Sequence, residues 1–293
     1  MDVVTTLDID RWDGPFATDL QERAVTALES GRLLYLPQLA FALDEEERRF
    51  LSPRWSDGKV KNISYDPAKD DLHGTTLQGP ERRALRNMIA RYAAQQQGLL
   101  GALLPSYRSH LIQARTSFRP VEVEGRSSSY RKDDRRLHTD AFPSRPTRGF
   151  RILRMFSNVN PHGQDRIWRV GEPFEDMARN FIPTLRPPLP GVNALLATLR
   201  ITKGRRTLYD SFMLQLHDQV KGDQAYQDHA PQATLALKPG STWIVFTDQV
   251  LHAALSGQYL FEQTFYLPVK AQRRPELAPL RVLERLTGRM LAG

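Results

Sequence analysis

"RLHTDAFPSRPTRGFRILRMFSNVNP", residues 136–161, sets His138 and Asp140 two positions apart. It then runs into a segment mixing Phe, Ile, Leu and Met with two arginines. Side chains at i and i+2 of an extended chain share a face, so an extended "RLHTD" projects an imidazole and a carboxylate together. Two readings compete for this stretch. One is an ordinary charged loop entering a strand, and the other is half of a metal site facing a pocket that wants an anion.

The surroundings favour a β core. From about residue 110, short strand patterns alternate with turn residues: "SHLIQARTSF", "RGFRILRMFSNV", "DRIWRV", "ATLALKPGSTWIVFTD" and "LFEQTFYLPV". Regular short strands with Gly and Pro punctuation point to a sandwich or jelly roll. Upstream, "TDLQERAVTALESG" reads as a helix stopped at Gly31, "RLLYLP" as a short strand, and the stretch from Gly79 towards Pro105 as a long amphipathic helix. Leu85, Met88, Ile89, Tyr92 and Ala93 recur there at threes and fours.

"FEDMARNFI" and the Pro-rich "IPTLRPPLPG" read as an insertion over the sheets. The expected fold is α+β with a mainly β core: a double-stranded β-helix, or cupin-like jelly roll, with N-terminal helices and a C-terminal helix. We expect one domain over residues 1–293, helical over about 1–109, β over about 110–270, and a basic amphipathic tail over about 271–293. The tail's leucines suit either an anionic membrane surface or, as the preferred reading, docking on the body of the protein.

Composition narrows the chemistry. The 293 residues are 40% hydrophobic and 25% charged, enough to bury a large core, and the net charge of +8 favours acidic partners. There is no cysteine, so a metal would be held by His, Asp or Glu. No apolar run approaches the about 20 residues of a membrane span. The acidic start "MDVVTTLDIDRWDGPF" lacks the features of a signal peptide, so a cytoplasmic protein is expected.

Two histidines and one carboxylate on one face of a metal, with open positions opposite, is the arrangement of non-haem Fe(II) oxygenases. Among seven histidines the best second imidazole is His252, which follows the apolar strand and polar turn of "KPGSTWIVFTDQVL". His110 and His217 sit in segments without a pocket signal. An H-x-D pair alone is weak, because such patterns recur by chance.

Alternation places Arg154 with Phe150, Ile152 and Phe156. A guanidinium among large apolar groups needs an anion. That anion is either the distal carboxylate of 2-oxoglutarate or a protein carboxylate. Arg166 and Trp168 share a strand face, and Arg119 ends the strand "ARTSFRP"; together they suit an acidic sugar, although arginines are most often simply surface residues.

The segments "LHTDAFPSRPTRGFRILRMFSNVNPHGQDRIWRVGEPFE" and "GSTWIVFTDQVLHAALSGQYLFEQTFYLP" resemble the 3-deoxy-D-manno-oct-2-ulosonic acid (Kdo) hydroxylases. The resemblance extends over about residues 30 to 270. It implies Fe(II) held by His138, Asp140 and His252, with 2-oxoglutarate and O2 as cosubstrates. The implied reaction is hydroxylation at C3 of Kdo or Kdo-lipid A, coupled to formation of succinate and CO2.

It further implies Arg154 at the cosubstrate and Arg119, Arg166 and Trp168 at the substrate. Peripheral association with the cytoplasmic face of the inner membrane follows from the acceptor, and no nucleic-acid partner is expected. One departure from the wider oxygenase superfamily stands out. The strand after His252 carries Glu262 in place of an Arg or Lys, which leaves Arg154 as the replacement, or as the residue that holds the sugar acid. The rival readings are an oxygenase of another substrate and a non-catalytic jelly-roll binding module.

Overall fold

Runs of apolar and β-branched residues between Gly and Pro breaks become two facing sheets in the computed structural model, which describes residues 2–60, 62–123 and 129–292. The strands are β1 (Val4–Thr6), β2 (Leu33–Leu36), β3 (Ile63–Asp66), β4 (Asp71–His73), β5 (Ile112–Arg119) and β6 (Arg151–Asn158), followed by β7 (Arg166–Gly171), β8 (Gln232–Leu237), β9 (Thr242–Phe246), β10 (His252–Ser256) and β11 (Leu260–Leu267). The larger sheet runs β1-β2-β9-β6-β11-β5-β3-β4 and the smaller β10-β7-β8. Among the described residues, only the β1–β2 pair is parallel.

The central strands β9 and β11 are buried on both faces, and so is nearly all of β6. They read in sequence as continuous apolar runs because helices cover one face and the smaller sheet the other. Between the sheets, Phe156, Trp243, Val245 and Leu260 of the larger meet Trp168, Val170, Leu237 and Ala254 of the smaller. This layered, mainly β core with flanking helices is the jelly-roll arrangement expected from the strand pattern.

The outer face of the larger sheet is covered by α1 (Thr18–Glu29) and α3 (Gly79–Leu103), with the short α2 (Glu45–Arg48) between them in sequence. The buried positions of α3, from Leu85 to Leu103, form one stripe, and Pro80 in its first turn fits the missing donor there. The helix ends just before Leu104, whose position ahead of Pro105 disfavours helical geometry. The N-terminal part also contains strands that the sequence reading did not find: β1 extends one edge of the sheet, and β3 and β4 form the other.

The connection after β7 is richer than the single helix expected. It contains α4 (Phe174–Phe181), α5 (Val192–Thr198), α6 (Leu208–Gly222) and α7 (Gln224–His229). The C-terminal helix α8 (Pro279–Thr287) packs Leu280, Val282 and Leu283 against Met177 of α4 and Phe212 and Met213 of α6. Leu280, Val282 and Leu283 of the tail are thus inside the protein, whereas Met290 beyond the helix faces solvent. Of the two readings of the tail, docking on the body is the one that the fold displays, and the leucines that a membrane-lying helix would need are already covered.

Candidate metal centre

The segment around His138 is extended but belongs to neither sheet. His138 and His252 instead pair in an isolated antiparallel bridge, with His138 N donating to His252 O at 3.1 Å and His252 N to His138 O at 2.9 Å. Two residues on, Asp140 N donates to Thr247 O at 2.8 Å. These backbone bonds stitch the H-x-D segment to the first residue of β10 and to the end of β9, so three side chains distant in sequence meet.

One ligand atom from each of His138, Asp140 and His252 lies within 4.8 Å of the others, and all three residues are buried. The imidazole centroids are 4.6 Å apart. His138 Nδ1 donates to Arg136 O at 2.7 Å and His252 Nδ1 to Val250 O at 2.9 Å. Because a carbonyl only accepts, each Nδ1 carries the proton and each Nε2 is left with a lone pair, the tautomer that a metal ligand requires.

Burial pushes both imidazoles down, and His138 well below its ordinary value, with further depression from the Lys221 charge. Both are therefore neutral at neutral pH. Burial works to raise Asp140, but the Arg154 guanidinium outweighs it and holds the carboxylate ionised. Asp140 Oδ2 is buried with no hydrogen-bond partner among the described residues, and Arg154 Nη1 lies 3.3 Å away. Two neutral imidazoles, an ionised carboxylate and an incompletely satisfied buried oxygen form a donor set that fits a divalent cation such as Fe(II).

Beside the triad lies a charged row set by sheet register. Arg154 of β6 stands opposite Thr264 of β11, and Arg119 of β5 stands opposite Leu260. Glu262, two residues from each of these β11 positions, therefore shares their face. Its carboxylate accepts from Arg119 Nη2 and pairs with Arg154 Nη1 at 3.2 Å. Burial would raise Glu262, but Arg119 and then Arg154 hold its carboxyl below the ordinary 4.5.

The structure thus brings Arg154 directly to the triad, and Arg119 to it through Glu262. Trp168 stacks on His252 with centroids 5.2 Å apart and 23° between planes, and is itself enclosed by Phe156 and Trp243. Arg166 is buried and turns to the bend after β10, where its Nη1 donates to Gly257 O at 2.6 Å. Gly257 has φ +116°, and a Cβ there would meet Arg166 Cδ at 2.8 Å, so this bend needs glycine twice over.

Two residues of α6 were not anticipated. His217 sits edge-on to His138 with centroids 5.4 Å apart, and Lys221, one turn further along, is almost fully buried. The sequence reading set His217 aside because it did not recognise α6. A signal was present in "TLYD": Thr207 and Asp210 form a reciprocal capping box at the helix start.

A family model described as 3-deoxy-D-manno-oct-2-ulosonic acid (Kdo) hydroxylase matches residues 11–290. Among solved structures, the chain is similar to the Kdo hydroxylase KdoO, a non-heme Fe(II) α-ketoglutarate-dependent dioxygenase. The complex of KdoO with α-ketoglutarate and Fe(III) is 49% identical with a TM-score of 0.96, covering 99% of this chain and 97% of that one. The cobalt(II) complex is also 49% identical, with a TM-score of 0.97 and coverage of 99% and 98%. The complex with succinate and Fe(III) gives 49% identity, a TM-score of 0.96 and the same coverage of 99% and 98%. No curated protein sequence matches the chain.

Proposed function

The chain belongs to the Kdo hydroxylase family, and on that premise we propose that it hydroxylates C3 of Kdo within Kdo-lipid A, with His138, Asp140 and His252 as its iron ligands. The enzyme is an Fe(II)/2-oxoglutarate-dependent dioxygenase. The observation that carries the ligand assignment is the pairing of two Nδ1–H groups with backbone carbonyls, which aims two lone pairs and the Asp140 carboxylate at one point. When bound there, Fe(II) supplies O2 activation coupled to conversion of 2-oxoglutarate to succinate and CO2.

The protein's own part is positional. The backbone bridge fixes the separation of His138 and His252, and the Trp168 indole holds the plane of His252 from behind. Arg154, already beside Asp140, offers a bidentate fork to the distal carboxylate of 2-oxoglutarate. Glu262 keeps that guanidinium oriented through its pairing at 3.2 Å.

We place Arg119 and Arg166 on the side of the sugar acid. Trp168 contributes to that side as the wall behind His252. No proton relay through a Ser or Cys nucleophile is needed. No helix among the described residues is long and apolar enough to cross a membrane. The acceptor places the working protein at the cytoplasmic face of the inner membrane as a peripheral enzyme.

The test is succinate formation by Fe(II)-loaded protein given 2-oxoglutarate and Kdo-lipid A, beside Asp140→Ala. Stimulation by Kdo-lipid A, a product heavier by one oxygen, and loss of both iron and turnover in Asp140→Ala are expected. Turnover of 2-oxoglutarate that ignores Kdo-lipid A would discard the acceptor, and full iron retention in Asp140→Ala would discard the ligand assignment.

A further inference from the structure

Large apolar side chains facing solvent are concentrated in one stretch of chain, residues 189–201. Leu189, Leu195, Leu199 and Ile201 are 76, 58, 59 and 57% exposed, and Met290 from the C-terminal segment is 74% exposed. Helix α5, at the centre of this stretch, buries none of its residues. Leu189 and Met290 line one open groove of about 740 Å³ together with Arg148, Arg205 and Arg206, so the tail and the insertion share this face.

The charge along this stretch of chain has one sign. No Asp or Glu occurs between Asp176 and Asp210, while Arg186, Arg200, Lys203, Arg205 and Arg206 lie within that interval. Arg200, Lys203 and Arg205 are exposed, as is Arg289 beside Met290. Protruding Leu and Ile side chains ringed by arginines suit the boundary between acyl chains and anionic headgroups. A second copy of the chain presenting the same face would set arginines against arginines, so charge complementarity selects an anionic lipid surface.

The patch is tied to the candidate centre. Lys203 N donates to Ser144 O at 2.8 Å, and Arg206 Nη2 donates to Pro143 O. Asp210, at the start of α6, accepts from Thr147 N at 2.7 Å and Arg148 N at 2.9 Å. Ser144 through Arg148 belong to the loop that leads directly from Asp140 to β6, and the Arg154 guanidinium lies over the Phe142 ring in the same loop.

We propose that residues 186–206, together with Met290, form a membrane-docking face. Its Leu and Ile side chains enter the headgroup boundary of an anionic bilayer, its Arg and Lys side chains meet lipid phosphates, and docking turns the loop of residues 141–149 towards a lipid-borne acceptor. Bilayer binding stands on this surface alone; only the orientation towards an acceptor rests on the proposed function.

The experiment is co-sedimentation of the full chain with vesicles of phosphatidylcholine, with or without one-third phosphatidylglycerol. Two variants accompany it: Leu195→Gln/Leu199→Gln/Ile201→Gln, and Arg200→Gln/Lys203→Gln/Arg205→Gln. The wild type is expected to bind the anionic vesicles preferentially, more weakly at high salt, and each variant to lose about tenfold in affinity. Unchanged thermal unfolding and 2-oxoglutarate turnover would show that the variants remain folded.

Equal binding to neutral vesicles, or variants that bind as the wild type does, would overturn the proposal. So would a wild-type dimer, seen by sedimentation velocity, that the variants abolish, because it would assign the face to a second copy. Vesicle binding without turnover of Kdo-lipid A would leave the docking face standing and reject the substrate reading.

Discussion

At the scale of single residues, Glu262 governs the charge balance beside the candidate centre. Its folded pKa lies below the ordinary 4.5 because Arg119 and Arg154 outweigh the effect of burial. As pH falls, the unfolded chain therefore takes up this proton first. The stabilisation from Glu262 is complete above about pH 4.5 and is lost as pH drops through the lower folded value. Glu262→Gln is expected to destabilise the protein by about 3 kcal/mol at pH 7, since two partly buried guanidiniums lose their shared countercharge. The gap between wild type and variant should shrink below pH 4.5 in urea unfolding; a gap independent of pH would reject this account.

Glu262 also marks the limit of reading single residues from sequence. Alternation along β6 was enough to show that Arg154 needs an anion. It did not identify Asp140 and Glu262 as the partners, because those contacts depend on the β6–β11 register and on the His138–His252 bridge. The H-x-D pair was legible because its spacing is local.

At the scale of elements, β6 is buried on both faces, so its alternation could not rank Arg151 against Arg154. Arg151 is fully buried and lies over the Phe246 ring at 3.9 Å. Its Nε donates to Asp248 Oδ2 at 2.7 Å and its Nη2 to Gln249 Oε1 at 2.7 Å. The sequence reading took Asp248 and Gln249 for a polar turn, yet both are buried as the lock between β6 and the end of β9.

Arg151→Met should cost about 3 kcal/mol, most of it from stranding the Asp248 carboxylate in the interior. Adding Asp248→Asn should recover part of that loss, because a neutral amide is cheaper to leave buried. Urea midpoints for the two single variants and the double decide the matter: simple additivity would show that the pair is not coupled. The same scale explains the missed β10. "HAALS" is short and alanine-rich, weak in intrinsic strand preference, and becomes a strand because β7 offers it an edge. Strands β3 and β4 were missed for a related reason, since their polar residues, Ser64, Asp66, Asp71 and His73, gain order from pairing with each other and with β5.

At the scale of the whole molecule, the candidate centre joins parts that fold from distant stretches of chain. His252 begins a strand of the smaller sheet, Arg154 and Glu262 belong to the larger sheet, and His138 and Asp140 lie on the segment stitched between them. A ligand that holds these groups together binds the folded state and has no equivalent site in the unfolded chain, so it must raise stability by linkage. At a Co(II) concentration about 100 times its dissociation constant, the gain is about 2.7 kcal/mol, enough to raise Tm by about 5 °C in a chain of this size. Co(II) serves here as a redox-stable probe of the proposed ligand set. If Arg154 and the metal share 2-oxoglutarate, the cosubstrate alone should shift Tm little and should add a further increment once Co(II) is present. Arg154→Met should keep the metal increment and lose the cosubstrate increment, whereas His252→Ala should lose both. Thermal unfolding of the three proteins under four ligand conditions therefore separates metal holding from cosubstrate holding. A full 2-oxoglutarate increment in Arg154→Met would move the cosubstrate carboxylate to Arg119 or Arg166 instead.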